Sequence, residues 1–328
     1  MIRLLYITDT HIRGTSPANR LDHFPDTLKA KLNEAVDYAN QADVDAVLHG
    51  GDVFDVPSPS PSVVGEFLSI FTRLRAPLYG IIGNHDVFAH NPQTLDRTML
   101  GLANRLGIIR IIHPGERVYL EKNGNRVQLT GQHFHVDLDR RDPTLDYCVT
   151  KENADVAIHM VHGMLMDRRF IDGVAHTVID QIVGTEADLT LCGHNHLGFR
   201  DTEKDGKYFI NPGGFVRLSN HPAEMARKPQ MVLIEIEDKK LTYRKIPLRC
   251  ALKGEDILDR SKGEEAIYRE QKLNEIVDEI KQAGDFQYAN IHDIIEQIAS
   301  REGISLSVRS LVMEKIAKAQ ERLEVDEG

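Results

Sequence analysis

The chain has 328 residues, 41% of them hydrophobic, a formal net charge of -10 and three cysteines. That suffices for one large core, or for a core with a small appended domain, and no run approaches the roughly 20 apolar residues of a membrane span. Asp9 interrupts the opening apolar segment too early for a secretory signal, and Cys148, Cys192 and Cys250 are widely spaced in no metal-binding pattern, so the expectation is a cytoplasmic protein with reduced thiols.

Up to about residue 250, short β-branched runs alternate with helical patterns, as layered α/β proteins do. The first strand covers residues 3 to 8. Leu28, Leu32, Ala35, Val36 and Ala39 then recur at helical spacing, a strand follows at 46 to 49, Val63, Val64, Phe67 and Phe71 mark a second helix, and a third strand runs from 78 to 82. Helical crossovers between successive strands favour parallel pairing. Residues 117 to 121 and 126 to 131, joined by Lys122-Asn123-Gly124-Asn125, read as a hairpin, and strands are expected at 156 to 161 and 189 to 192. Residues 207 to 210 follow the turn Asp205-Gly206, and 231 to 237 pairs with 240 to 245 across Asp238-Lys239.

Such mixed edges suggest two sheets packed face to face with helices outside. After Cys250 the composition changes to acidic helix. Apolar faces run from Ile267 to Ile280, from Ile291 to Ile298 and from Val308 to Leu323, with breaks at Gly284-Asp285 and Glu302-Gly303. The expected division is an α/β domain over 1 to 250 and an acidic helical region over 251 to 328, which either packs as a small bundle or offers its apolar faces to a partner.

Five short patterns each close a predicted strand: Asp9-Thr10-His11, Gly51-Asp52-Val53-Phe54-Asp55, Gly83-Asn84-His85-Asp86, His162-Gly163 and Gly193-His194-Asn195-His196. Singly they are weak, because an Asp after a strand is often a helix cap and Gly-Asn often marks a turn. Jointly they are strong, since turn chemistry does not demand four histidines and two aspartates at strand ends, and ligand sites in α/β sheets collect beyond the carboxyl ends of strands. Carboxylate, carboxamide and imidazole donors without thiolate suit Mn²⁺, Fe²⁺ or Zn²⁺ in a reactive centre better than a structural zinc site. Two such cations neutralise a phosphodiester and make hydroxide near neutral pH.

In order and composition, these patterns resemble the calcineurin-like metallophosphoesterase superfamily over residues 3 to about 217. The resemblance implies a four-layer αββα sandwich. It also implies a first metal held by Asp9, His11, Asp52 and His196, and a second held by Asp52, Asn84, His162 and His194. His162 is preferred to His159 because Gly163 follows it, as in the family's strand-end pattern. His85 matches the family's non-ligand histidine, which protonates the leaving oxygen, and Asp86 would orient its ring. The nucleophile would be a metal-bound hydroxide. Asp55 is expected to cap or hydrogen-bond behind the ligands, and His49, His133, His135 and His159 to serve structure.

The flanks Gly51 to Asp55 and Asn211-Pro212-Gly213-Gly214-Phe215-Val216-Arg217 resemble the DNA-repair exonuclease branch, the nuclease subunits of SbcCD-type complexes. That resemblance implies Mn²⁺-dependent cleavage of DNA, a homodimer, and an SbcC-type coiled-coil ATPase docked through the C-terminal helices. Arg13 and Arg217 are the expected phosphate contacts. The overall acidity argues against nucleic acid, but residues 251 to 328 carry -7 of it and residues 1 to 250 only -3. The alternatives are a small-molecule or nucleotide phosphodiesterase or phosphatase with the same metals, and a non-enzymatic scaffold, which is disfavoured because no ligand is missing.

Overall fold

The computed structural model describes residues 1 to 170 and 174 to 259. The three helical faces expected beyond residue 260 lie outside the described residues. Residues 1 to 259 form one compact unit. It runs past the sequence division at 250 because residues 251 to 259 are tied back to it. Leu21 N donates to Ile257 O, and Asp259 N donates to Asn19 O.

The strands, in chain order, are β1 (Ile2–Ile7), β2 (Ala46–His49), β3 (Leu78–Gly80), β4 (Arg110–Ile111), β5 (Val118–Lys122), β6 (Asn125–Gln132), β7 (Val156–Val161), β8 (Leu165–Met166), β9 (Thr177–Val178), β10 (Leu189–Cys192), β11 (Thr202–Lys204), β12 (Lys207–Ile210), β13 (Gln230–Glu237) and β14 (Lys240–Pro247). The helices are α1 (Phe24–Gln41), α2 (Pro61–Phe71), α3 (Met99–Arg105), α4 (Thr144–Tyr147), α5 (Pro222–Ala226) and α6 (Gly254–Ile257). Two six-stranded sheets result, ordered β14-β13-β1-β2-β3-β4 and β11-β12-β10-β7-β6-β5. β1 to β4 pair in parallel, as do β6, β7, β10 and β12, while β13 joins β1 antiparallel.

Helix α1 begins with Pro25 in its first turn, where a missing N–H costs nothing. It buries Leu28, Leu32, Ala35, Val36 and Ala39. Together with Val64, Phe67 and Phe71 of α2, these side chains cover Leu5, Ile7, Val47 and Leu78 on the outer face of the first sheet. The opposite face carries Leu4, Tyr6, Ala46 and Leu48, which meet Val127, Leu129, Ile158, Met160, Leu189 and Leu191 of the second sheet. Strands buried on both faces read as unbroken apolar runs, and each aliphatic side chain in this seam contributes roughly 1.5–3 kcal/mol by leaving water.

The fourth layer is thinner than the expected αββα sandwich suggests. Over the second sheet lie α4, a single 3-10 turn at Ile179–Gln181 and loops, and Leu138, Tyr147, Leu165, Ile179 and Ile182 cover Val161, Cys192 and Phe209. The predicted hairpins form because Asn123-Gly124, Asp205-Gly206 and Asp238-Lys239 all adopt positive φ, the backbone that two-residue hairpin turns require. The three cysteines are free. Among the described residues, no helix is long and apolar enough to cross a membrane.

Candidate metal centre

Five parallel strands from the two sheets, β1, β2, β3, β7 and β10, direct their carboxyl ends to one place, and Asp9, Asp52, Asn84, His162 and His194 follow those ends. The chain must turn sharply there to present side chains instead of continuing the strands. Asp9, His11, Asp52 and His194 all have positive φ, at 54°, 44°, 52° and 69°. A non-glycine residue in that region costs of order 1–3 kcal/mol, and such residues cluster where function requires the geometry. Gly51, at φ 95°, lies against His162, and a Cβ on Gly83 would stand 2.1 Å from Asp52 Oδ1, so neither position admits a side chain.

The seven proposed ligands converge. Donor atoms of Asp9, His11, Asp52 and His196 lie within 4.8 Å of one another, as do those of Asp52, His162 and His194. His11 Nε2 is 3.0 Å from His196 Nε2 and 3.5 Å from Asp52 Oδ2, while His196 Nε2 is 3.5 Å from Asp9 Oδ1. In the other half, Asn84 Oδ1 is 3.2 Å from His162 Nε2 and 2.9 Å from His194 Nδ1, and His162 Nε2 is 3.3 Å from Asp52 Oδ2. Neighbouring donors around a cation held at about 2.1 Å sit about 3 Å apart. Asp52 faces both halves.

The donor chemistry fits cations. His162 Nδ1 donates to Gly50 O at 2.7 Å, which fixes that tautomer and leaves the Nε2 lone pair aimed at Asn84 and Asp52 oxygens. Three lone pairs meeting in a buried space repel unless a proton or a metal ion lies between them. In the protein alone a proton serves: burial disfavours charge on His162, but Asp52 and Asp9 outweigh it and raise its pKa to about 9. Burial also works to raise the Asp9 and Asp52 carboxyl pKa values, yet His196 and His162 hold both below the usual carboxylate range. His194 is lowered to about 4 by burial and by His162.

The surroundings divide by depth. Asp9, His11, Asp52 and His162 form a buried floor, and Asn84, His194 and His196 a half-buried rim. Thr8 Oγ1 donates to Asp9 Oδ2, and Asp52 Oδ1 accepts from His85 N. His49 sits behind, between Thr10 Oγ1 and Gly51 N. His159 points elsewhere, to Thr130 Oγ1 and Asp146 O, so the choice between the two strand-end histidines matches the placement of His162.

Three expected roles are not matched. Asp86 does not orient His85. It is fully buried and accepts from Phe54 N and Gly83 N, bracing the two ligand loops, while burial and Asp52 push its pKa up to about 7. The exposed His85 ring is held instead by the Asp55 carbonyl, 2.9 Å from its Nδ1. Arg217 does not reach the rim. It is 3% exposed and donates to Arg227 O and Leu252 O, because the chain after the last motif turns back under α1. Arg13 stays near the rim but pairs with Asp55 at 2.9 Å. The same Asp55 approaches His11 Nδ1 at 3.4 Å. Phe134 escapes sequence reasoning altogether. Its ring lies 5.4 Å from His194, and no local pattern marks it.

Over residues 2–239 the chain matches the calcineurin-like phosphoesterase superfamily domain. It is similar to the DNA double-strand break repair protein Mre11 of Methanosarcina acetivorans, with 39% identity over 113 residues, 32% of this chain and 17% of that protein. Mre11 of Saccharolobus solfataricus is 29% identical over 125 residues, 37% of this chain and 31% of that one. The chain therefore spans less than a third of the length of either relative. The calcineurin-like phosphoesterase YfkN from Bacillus subtilis superposes with a TM-score of 0.44 at 15% identity, covering 75% of this chain and 90% of that chain.

Proposed function

The chain belongs to the calcineurin-like phosphoesterase superfamily, and from that premise we propose that it is a two-metal, manganese-dependent phosphodiesterase whose substrate is DNA. The observation that carries this reading is the convergence of seven oxygen and nitrogen donors, split by Asp52 into two halves. Asp9, His11 and His196 would serve one cation, and Asn84, His162 and His194 the other. When bound, the pair would neutralise the phosphodiester and activate water near neutral pH. The four histidines and the carboxamide beside the carboxylates suit Mn²⁺, with Fe²⁺ or Zn²⁺ compatible.

His85 belongs to the leaving-group side. It is exposed, its amide is anchored to Asp52, and its Nδ1 donates to Asp55 O. That leaves Nε2 free to face the departing oxygen as its proton donor. DNA as the substrate draws on the similarity to Mre11 proteins, whose names describe DNA double-strand break repair. A homodimer and a coiled-coil ATPase docked on residues 251 to 328 belong to the same reading. Co-purification with and without those residues tests both.

The direct test is Mn²⁺-loaded protein and its His85→Ala variant on end-labelled linear duplex DNA, with products resolved by length. Cleavage by the parent alone is expected. Intact DNA, with a chromogenic diester hydrolysed in parallel, would transfer the assignment to a small-molecule phosphodiesterase.

A further inference from the structure

Phe134 follows β6, and its amide donates to Ile82 O at 3.0 Å, which fixes the residue two positions before Asn84. Its half-buried ring lies 5.4 Å from the His194 ring, tilted by 39°, and 6.5 Å from the His162 ring, near perpendicular. The His90 ring is 5.6 Å from it. His90 is exposed, and it and Ala89 are both left-handed, at φ 55° and 48°. Two consecutive non-glycine residues in that conformation cost free energy, and here they hold a second flat ring beside Phe134. Phe134 is thus partly exposed and partly packed on the core over the second sheet, next to the half that Asn84, His162 and His194 form.

We propose that Phe134, flanked by His90, is a stacking platform for the nucleobase adjoining the scissile phosphate. The inference rests on the phosphodiesterase reading above and adds what the ester must carry, an aromatic base and not merely a sugar phosphate. Stacking tolerates any base because every base has a π-face. The platform therefore supplies preference for nucleotides without preference for sequence, which suits a surface where no base-reading element is visible among the described residues. Phe134 is a specificity residue and takes no part in the bond exchange.

Two measurements test it. The first compares cleavage at a natural nucleotide with cleavage at an abasic one, in the parent and in Phe134→Leu, which keeps apolar bulk but has no π-face. In the parent, loss of the base should lower kcat/KM by about 5- to 150-fold, the equivalent of base–aromatic stacking of about 1–3 kcal/mol. In Phe134→Leu the difference should fall below roughly threefold with metal content unchanged. Equal losses on both substrates would make Phe134 a mere buttress of His194 and overturn the proposal. The second needs no turnover. The chain has no tryptophan, so Phe134→Trp carries a single indole. Quenching of its fluorescence by dAMP and not by deoxyribose 5-phosphate is expected. Equal quenching by both, or by neither, overturns the platform even if DNA cleavage itself fails, and failed cleavage alone counts against the nuclease reading.

Discussion

Replacing Asp52 by Asn perturbs the proposed centre most sharply, because its carboxylate is 1% exposed and faces His11 Nε2 at 3.5 Å and His162 Nε2 at 3.3 Å. A cation that binds the folded chain alone stabilises it by RT ln(1 + [L]/Kd), about 2.7 kcal/mol at a free concentration one hundred times Kd. Two independent cations therefore supply about 5.4 kcal/mol. The described unit spans Met1–Asp259. Its unfolding entropy is on the order of 0.5 kcal/mol/K, so saturation with Mn²⁺ should raise Tm by on the order of 10 °C. Asp9→Asn, whose carboxylate clusters with the donors of His11 and His196 in the first half, should lose about half of that increment, and Asp52→Asn nearly all of it. Calorimetric melts of metal-free protein titrated with MnCl₂, paired with elemental analysis, measure both quantities. An Asp52→Asn variant whose Tm rises as far as the parent's would refute the bridging assignment.

His85→Ala should retain two metal equivalents and lose on the order of 10²-fold or more in kcat, the usual contribution of a general acid; loss of metal in that variant would make the ring a ligand. Arg217→Ala should destabilise the fold by about 2–4 kcal/mol in urea without altering metal content, because it strands the buried carbonyls of Arg227 and Leu252. Lys31 gives a pH signature. Burial, assisted by Arg20, Arg217 and Arg227, lowers its pKa to about 7. The unfolded chain keeps that proton up to about pH 10.5, so between pH 7 and 10 the unfolded state binds more protons and stability rises with pH by about 1.4 kcal/mol per unit. The contribution is lost as pH falls through 7. Lys31→Met should remove this slope, so the parent should gain about 2.7 kcal/mol relative to the variant between pH 7.5 and 9.5; parallel stability curves would contradict the burial argument.

Both sheets and the cluster of candidate ligands are legible in the sequence because each rests on local chemistry. Val47 and Leu48, or Ile158 and Met160, sit in apolar runs that only a strand buried on both faces explains, and each run ends in a motif whose spacing is set within a few residues. The supports of those motifs are not local. The oxygen that holds His85 is the main-chain carbonyl of Asp55, thirty residues earlier, and a carbonyl is present at every position and so leaves no mark in sequence. Asp86 looks like a partner of its neighbour His85, yet both its oxygens accept amides from two separate loops. Arg217 looks like a phosphate contact by its place after the last motif. Its burial depends on carbonyls of Arg227 and Leu252 that come together only when the chain folds back. The thin fourth layer is hidden for a related reason: apolar residues in loops and one-turn helices, such as Leu138 and Ile182, have no periodicity to read.

Two cations sharing Asp52 between the carboxyl ends of strands from both sheets would be directly visible to diffraction. Anomalous diffraction from Mn²⁺-soaked crystals tests it most directly. Two peaks roughly 3.5–4 Å apart are expected, one contacted by Asp9, His11 and His196, the other by Asn84, His162 and His194, with Asp52 on both. A single peak, or peaks that leave Asp52 uncoordinated, would contradict it.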